Sequence, residues 1–317
     1  MRKKIVITDY SFPDLARENE ILQAAGFDVQ AFQCTREEDV TDAARDASGL
    51  LVQWAPVSRK VIQQLKQCKV IVRYGIGLDN IDLEAAHEAG IMVCNVPDYC
   101  IHEVADHTVA MALSLIRQLT RVDTLIREGV WKTYPSKRLL PLEKVNFVSL
   151  GFGKIAREVL KRANIFGCRL FAYDPYVTEK EMLQVNTRKI SLDEAFTIAD
   201  VLSLHLPLVK ETYYIVDKQR LKEMHSNAVI LNTSRGALID TIALADSLKQ
   251  GLISGAGLDV FEKEPLAPDH PIRYAPNVIL TSHIAWYSEE SIPKLQRMAA
   301  EEILLALSSR QVRNRIV

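Results

Sequence analysis

No stretch of this chain reaches the ~18 consecutive apolar residues that a membrane-spanning helix requires. The first apolar run, Ile5-Val6-Ile7 behind the basic Met1-Arg2-Lys3-Lys4, is too short for a secretion signal and reads as a strand. Cysteine is sparse. Cys34, Cys68, Cys94, Cys100 and Cys168 form an odd set without a Cys-x-x-Cys pair, which argues against a disulfide framework and against a structural zinc site. We therefore expect a reducing, cytoplasmic setting and no metal. An excess of one charge is missing too. Lysine and arginine number 39 against 40 aspartates and glutamates, a net charge of −1, so no overall field draws the protein to nucleic acid or to an anionic membrane. Internal repeats and low-complexity segments are absent as well.

What is present is ordinary globular material. The 317 residues are 48% hydrophobic and 25% charged, too apolar for disorder and sufficient for about two domains. Short, nearly continuous apolar runs recur with helical patterns between them. They fall at 5–7, 29–32, 50–52, 70–72 and 92–94, then at 147–150, 169–173, 201–204, 229–231, 257–260 and 278–280. Runs of this kind suit parallel strands buried on both faces, and two series imply two doubly wound α/β sheets. From Ile101 to Leu119 one apolar stripe at helical spacing marks the joint, with Asp98 behind Pro97 as its N-cap. An irregular stretch over 127–143, with Trp131, Pro135 and Pro141, follows. The last helix, about 289–307, holds Pro293 in its first turn and offers positions 292, 295, 299 and 303 to a partner surface. Residues 308–317, with Arg310, Arg313 and Arg315, read as a solvated polar tail.

Gly151-Phe152-Gly153-Lys154-Ile155-Ala156 follows one of these strands and opens a helix. Gly151 permits a tight turn, Gly153 lets main-chain N–H groups approach a pyrophosphate, and Ala156 stays small enough for the helix to pack on the strand. Asp174 lies 23 residues after Gly151, at the end of the next strand. A carboxylate there accepts hydrogen bonds from ribose hydroxyls and repels a 2′-phosphate, which favours NAD over NADP. The same geometry leaves S-adenosylmethionine or another adenosine ligand as the alternative.

Arg235, Glu264 and His283 stand at the ends of later strands, where ligands of open α/β sheets bind. A nicotinamide reaction at a carbonyl needs an acid near neutral pKa, a carboxylate to hold it, and a fixed cation for the substrate's own carboxylate. Histidine, glutamate and arginine fill those roles. Taken singly, each also suits an ordinary loop or turn.

Together these segments resemble, in order, the D-isomer-specific 2-hydroxyacid dehydrogenase family. They are Gly151 to Ala156, Tyr173-Asp174-Pro175, Asn232-Thr233-Ser234-Arg235-Gly236, Asp259 to Pro265 and His283-Ile284-Ala285. Arg73-Tyr74-Gly75-Ile76-Gly77-Leu78-Asp79-Asn80-Ile81-Asp82 is similar to that family's substrate loop, and the likeness runs from about residue 45 to 307. The resemblance implies a Rossmann NAD-binding domain, 99–286, inserted into a flavodoxin-like substrate domain, 1–98 and 287–317, with the active site in the cleft. It implies that His283 is the general acid/base, Glu264 its carboxylate partner and Arg235 the group that binds and polarises the 2-oxo acid. Gly151, Gly153, Lys154, Ile155 and Asp174 would hold the cofactor, and Thr108, His205, Pro207 and Thr233 would line its cleft. Asp259 would lie by the nicotinamide carboxamide, and the backbone of Ile76 and Gly77 would receive the substrate carboxylate. Residues 100–145 resemble the family's dimerisation arm, so a homodimer is expected.

Arg73 and Trp286 are similar to residues of the C-terminal-binding-protein branch, where the matching pair faces the substrate; Trp286 would cap an apolar part of it. Residues near 53–57, Arg73, Trp131 and Trp286 would meet the substrate's side chain. The sequence stops at Val317, so we expect none of the regulatory domain that some phosphoglycerate dehydrogenases carry. The implied function is an NAD-dependent D-2-hydroxyacid dehydrogenase or 2-oxoacid reductase acting on a small acid. The same branch includes NAD(H)-sensing co-repressors, the alternative reading. The complete Arg235–Glu264–His283 set and the lack of a long disordered tail favour catalysis.

Overall fold

The computed structural model describes residues 3–131 and 139–317, so Pro135 lies outside the described residues. The chain divides into two compact units, Met1–Cys100 with Tyr287–Val317, and Ile101–Trp286.

The first unit holds five parallel strands: β1 (Lys4–Ile7), β2 (Asp28–Ala31), β3 (Gly49–Val52), β4 (Val70–Arg73) and β5 (Met92–Cys94). Their order, β2-β1-β3-β4-β5, is the flavodoxin-like one. Alternate residues of each strand serve opposite faces. Val6, Leu50, Val52 and Ile71 pack with Val40, Val61 and Ile62 on one side, while Ile5, Ile7, Leu51, Val70 and Val72 are equally buried on the other. The helix Ser291–Leu307 packs on β3, β4 and the helix Ala16–Ala24. It comes so close that a Cβ on Gly49 would lie 2.9 Å from Ile303 Cδ1. Leu295, Ala299 and Ile303 are buried there. Truncating a fully buried Ile303 to alanine removes on the order of 2–5 kcal/mol.

The polar tail is not simply solvated. Ile316 N–H donates to Val93 O at 2.8 Å, Arg315 bridges Cys94 in antiparallel fashion, and Arg313 N–H and Asn314 N–H donate to Glu302 Oε1 at 2.8 and 2.7 Å. β5 is an edge strand whose main-chain groups need partners, and Glu302 is buried with a charge that needs donors. Neither demand is written in the tail's own composition.

The second unit holds seven parallel strands: β6 (Asn146–Leu150), β7 (Arg169–Tyr173), β8 (Thr187–Lys189), β9 (Val201–Leu204), β10 (Val229–Asn232), β11 (Gly255–Leu258) and β12 (Val278–Leu280). The order β12-β11-β10-β9-β6-β7-β8 is the Rossmann arrangement, reversing direction between β6 and β9. Separate apolar clusters cover the two faces. One includes Leu204, Ile230, Leu244 and Leu248, and the other includes Met111, Phe147, Leu160 and Leu231.

Five local features differ from expectation. β8 carries Thr187, Arg188 and Lys189 and so has no apolar run; it is an edge strand paired only to β7. β11 begins at Gly255 rather than 257, because its two glycines are buried for closeness rather than for hydrophobicity: a Cβ on Gly257 would meet Leu231 Cδ2 at 2.9 Å. Strand β11 therefore ends before Asp259. The long helix runs only from Ile101 to Ile116, since Gln118 adopts a left-handed φ of 52° and a second helix, Leu119–Arg127, follows. With Ile101 as its first residue, Asp98 sits in the preceding turn and is not the N-cap. The final helix begins at Ser291, where Ser288 and Ser291 exchange main-chain-to-hydroxyl hydrogen bonds of 2.9 Å. Pro293 falls in its first turn.

Candidate active site

The crevice at the reversal point of the second sheet is shaped by Gly151. Its φ is +96°, and a Cβ there would lie 2.4 Å from His205 O, so only glycine fits. Gly153 precedes the helix Lys154–Ile165, brings no side chain to cap it, and a Cβ there would meet nothing within 4 Å. The first turn of that helix thus presents N–H groups and a positive dipole end toward open space, which suits a pyrophosphate. Ala156 is fully buried against the sheet. At the tip of β7, Asp174 accepts from Phe152 N–H and Tyr176 N–H, each at 2.9 Å, so its carboxylate stands beside the glycine loop. These residues fit a dinucleotide. His205 hydrogen-bonds Ser203 Oγ through Nε2 at 2.8 Å. Burial pushes its imidazole down to about 4, so it is neutral at pH 7. Pro207 O accepts from Thr212 Oγ1 at 2.6 Å. Thr108 is fully buried, bonded to Val104 O at 2.7 Å and to Thr233 Oγ1 at 2.9 Å. Lys154 is exposed and Ile155 half-buried at the start of the helix.

Beyond the ends of β10, β11 and β12 stand Arg235, Glu264 and His283. His283 Nδ1 lies 2.8 Å from Glu264 Oε2, and Glu264 Oε1 accepts from Phe261 N–H at 2.9 Å. Burial alone would raise the Glu264 carboxyl. The hydrogen bond and charge of His283, the Phe261 N–H and the nearby Arg235 outweigh burial and hold it below its usual value. Glu264 is therefore ionised at neutral pH and accepts the Nδ1–H of His283, which fixes the tautomer of the imidazole. Arg235 is pinned through its main chain by Asn232 Nδ2, which donates to Arg235 O at 2.8 Å. Gly236 beside it allows the loops to interlock: a Cβ there would sit 1.9 Å from the Phe261 carbonyl carbon.

Asp259, 1% exposed, holds the segment that carries the histidine. It accepts from Thr281 Oγ1, from Ile284 N–H at 3.0 Å and from Ala285 N–H at 2.9 Å. His107 Nε2 reaches Thr281 Oγ1 at 3.0 Å. Trp286 donates its indole N–H to His283 O at 2.7 Å.

Arg73, Ile76 and Gly77 belong to the first unit. The Arg73 guanidinium lies 5.2 Å over the Trp54 ring and occupies the space a Cβ on Gly75 would need, so it is held between a ring and a bare Cα. Asn95 Nδ2 fixes Ile76 O at 2.8 Å. Asp9, just beyond β1, accepts from Thr8 Oγ1 at 2.8 Å, from Gln53 N–H at 3.1 Å and from Trp54 N–H. Trp131 is 84% exposed.

Residues 109–285 match the family described as D-isomer specific 2-hydroxyacid dehydrogenase, NAD binding domain. The chain belongs to the D-isomer specific 2-hydroxyacid dehydrogenase family. It is 34% identical to a D-3-phosphoglycerate dehydrogenase of Methanocaldococcus jannaschii over 313 residues, 98% of this chain and 59% of that protein. It is also 34% identical to a glyoxylate reductase of Korarchaeum cryptofilum over 252 residues, 78% of this chain and 76% of the reductase. The structure of a D-lactate dehydrogenase from Aquifex aeolicus, complexed with NAD and lactic acid, superposes with a TM-score of 0.87 at 26% identity, covering 97% of this chain and 96% of that one. The chain spans a little over half the length of the phosphoglycerate dehydrogenases it matches.

The structure brings together residues that type and order had singled out: His283 meets Glu264 beyond the strand ends, and Asp174 stands beside the glycine loop. Asp9 and Thr281 carry no such expectation, and Trp54 enters only as part of the stretch 53–57 expected to meet the substrate's side chain. A charged residue at the end of a buried strand, as in Thr8-Asp9, was the signal available for the first. The other two act through geometry that residue type does not reveal. Among the described residues no cluster of His, Cys, Asp or Glu is arranged to hold a metal ion, and no helix is long and apolar enough to cross a membrane.

Proposed function

We propose that this chain is an NAD-dependent D-2-hydroxyacid dehydrogenase that also runs in reverse as a 2-oxoacid reductase. The observation that carries this reading is the 2.8 Å contact of His283 Nδ1 with an ionised Glu264, beside Arg235, inside a matched NAD binding domain. A nicotinamide cofactor, when bound, would supply or accept the hydride at C2. The rest is done by the chain's own groups. Arg235 binds the substrate carboxylate and polarises its carbonyl through the planar guanidinium fork. His283 Nε2 gives a proton to the carbonyl oxygen in reduction and takes it from the hydroxyl in oxidation. Glu264 keeps the imidazole in the tautomer that leaves Nε2 for this task and stabilises the imidazolium that forms. Gly151, Gly153, Lys154, Ile155 and Asp174 hold the dinucleotide, with Thr108, His205, Pro207, Thr233 and Asp259 around it. We assign Arg73, Ile76 and Gly77 to the substrate.

A panel of 2-oxo acids with NADH, followed by the absorbance of the reduced nicotinamide, tests the activity. His283→Ala is expected to lower kcat on the order of 10²–10⁴; near-wild-type turnover by that variant would refute the assignment. We also assign the helix Leu119–Arg127 to contact with a second copy, since it buries no residue and exposes Leu119, Val122 and Ile126. Val122→Asp with Ile126→Asp is expected to leave a monomer by light scattering, and an unchanged mass would dismiss that interface. None of the five buried cysteines forms a disulfide, which fits a reducing compartment, and we place the enzyme in the cytoplasm. Recovery chiefly in a membrane or secreted fraction would overturn that placement.

A further inference from the structure

His283 adopts a left-handed backbone, φ 57°. A residue with a Cβ is strained there, so its surroundings must hold it. The peptide before it is fixed by its N–H donating to Asp259 O at 2.8 Å. The peptide after it is fixed from the other side, where Trp286 Nε1 donates to His283 O at 2.7 Å. Asp259 holds the N–H of that same peptide, Ile284 N–H, and the amide after it, Ala285 N–H, so the indole and the carboxylate grip its two polar ends. The carbonyl that Trp286 grips belongs to the same residue whose imidazole must keep 2.8 Å from Glu264. Rotation of that peptide would swing the ring.

We propose that Trp286 is a positioning residue for His283: its indole N–H closes the turn from 283 to 286 and thereby sets the direction of the imidazole. This differs from a tryptophan that merely covers the substrate, because the working atom is the donor nitrogen and not the ring face. The inference rests on the reading of His283 as the acid/base, and its test is chosen to stand apart from that reading.

Trp286→Phe keeps an aromatic ring and removes the donor. Losing one hydrogen bond of ordinary net worth is expected to lower kcat for a small oxo acid such as glyoxylate by about two- to tenfold, with KM held within about twofold. Amide hydrogen exchange across 281–285 is expected to quicken several-fold in the same variant. Because phenylalanine also changes volume, a second protein carries 3-benzothienylalanine at 286, an isostere with sulfur in place of N–H. It is expected to reproduce both the kcat loss and the faster exchange. Unchanged exchange in both variants overturns the proposal. So does a constant kcat with a KM that shifts between small and bulky apolar oxo acids, since that is the signature of a ring touching substrate. If the wild-type protein turns over no oxo acid at all, the catalytic reading fails, and the exchange rates alone decide whether the indole braces this turn.

Discussion

Each unit contains one buried aspartate that does the same main-chain work. Asp9 stands just past β1 and Asp259 just past β11, and each accepts from one threonine hydroxyl and two successive amides of a loop beyond a neighbouring strand. The cargo differs. Asp9 fixes Gln53 and Trp54, an amide and a ring, neither of which moves a proton at neutral pH. Asp259 fixes the segment with His283, the residue to which we assign the proton transfer. The clamp is common, then, and the chemistry is decided by which residue rides on the captured loop. In the second unit that loop also bears strain, φ 57° at His283, whereas Trp54 needs no unusual backbone and instead lends its face to Arg73.

The largest expected effect separates the two clamps. Asp259→Ala strands three donors, at about 1–3 kcal/mol each, and displaces His283; kcat is expected to fall by about 10²-fold or more. Asp9→Ala strands a similar set and is expected to cost similar stability, but to raise KM for the oxo acid more than it lowers kcat. Steady-state kinetics with thermal melts of both variants checks this, and equal kcat losses would erase the distinction.

A smaller effect isolates the cargo of the first clamp. Trp54→Leu removes the platform under Arg73, a cation–π contact of roughly 0.5–2 kcal/mol. A rise in KM by up to about thirtyfold, with kcat preserved, is expected from initial rates. No change in either constant would detach Trp54 from the substrate side.

The smallest effect sharpens the comparison through pH. His205 in the second unit is held down to about 4 by burial. Between that value and about 6.5 the unfolded chain takes a proton the folded one refuses, so its contribution to stability falls as pH falls through this window. Glu18 in the first unit is raised by burial, despite the hydrogen bonds from Tyr74 and Gln296 that lower it. Its folded form takes the proton first, so its contribution grows as pH falls toward the ordinary glutamate value. Amide exchange by peptide at pH 7 and pH 5 is expected to show the second unit loosening relative to the first. Glu18→Gln and His205→Asn are each expected to flatten one side of that contrast, and parallel behaviour in both wild-type units would contradict it.

The two sheets were legible because buried parallel strands leave apolar runs, and the dinucleotide loop because Gly151 has no substitute at that turn. β8 left no run, since an edge strand of Thr187, Arg188 and Lys189 is held by main-chain bonds and polar side-chain contacts, not by apolar burial. The start of β11 was hidden by glycines chosen for closeness. Arg235, Glu264 and His283 were suggested by residue type at strand ends, but the grip of Trp286 on His283 and of Asp9 on Trp54 depends on which atoms meet. A tryptophan after a histidine reads equally well as a substrate cap. The docked tail escaped for a related reason: its partners are the amides of β5 and the carboxylate of Glu302, and nothing in an arginine-rich stretch announces them.

The first unit is assembled from both ends of the chain, Met1–Cys100 and Tyr287–Val317. During synthesis its opening five strands leave the ribosome early, yet the helix that covers β3 and β4 and the tail that pairs with β5 come last. At about 5–20 residues per second, those strands wait on the order of 10–40 s with one face bare over β3 and β4, while the contiguous second unit has every strand it needs. The order of birth and the order of completion are therefore opposite. The nascent first unit is the part of this protein that a holding chaperone has reason to meet.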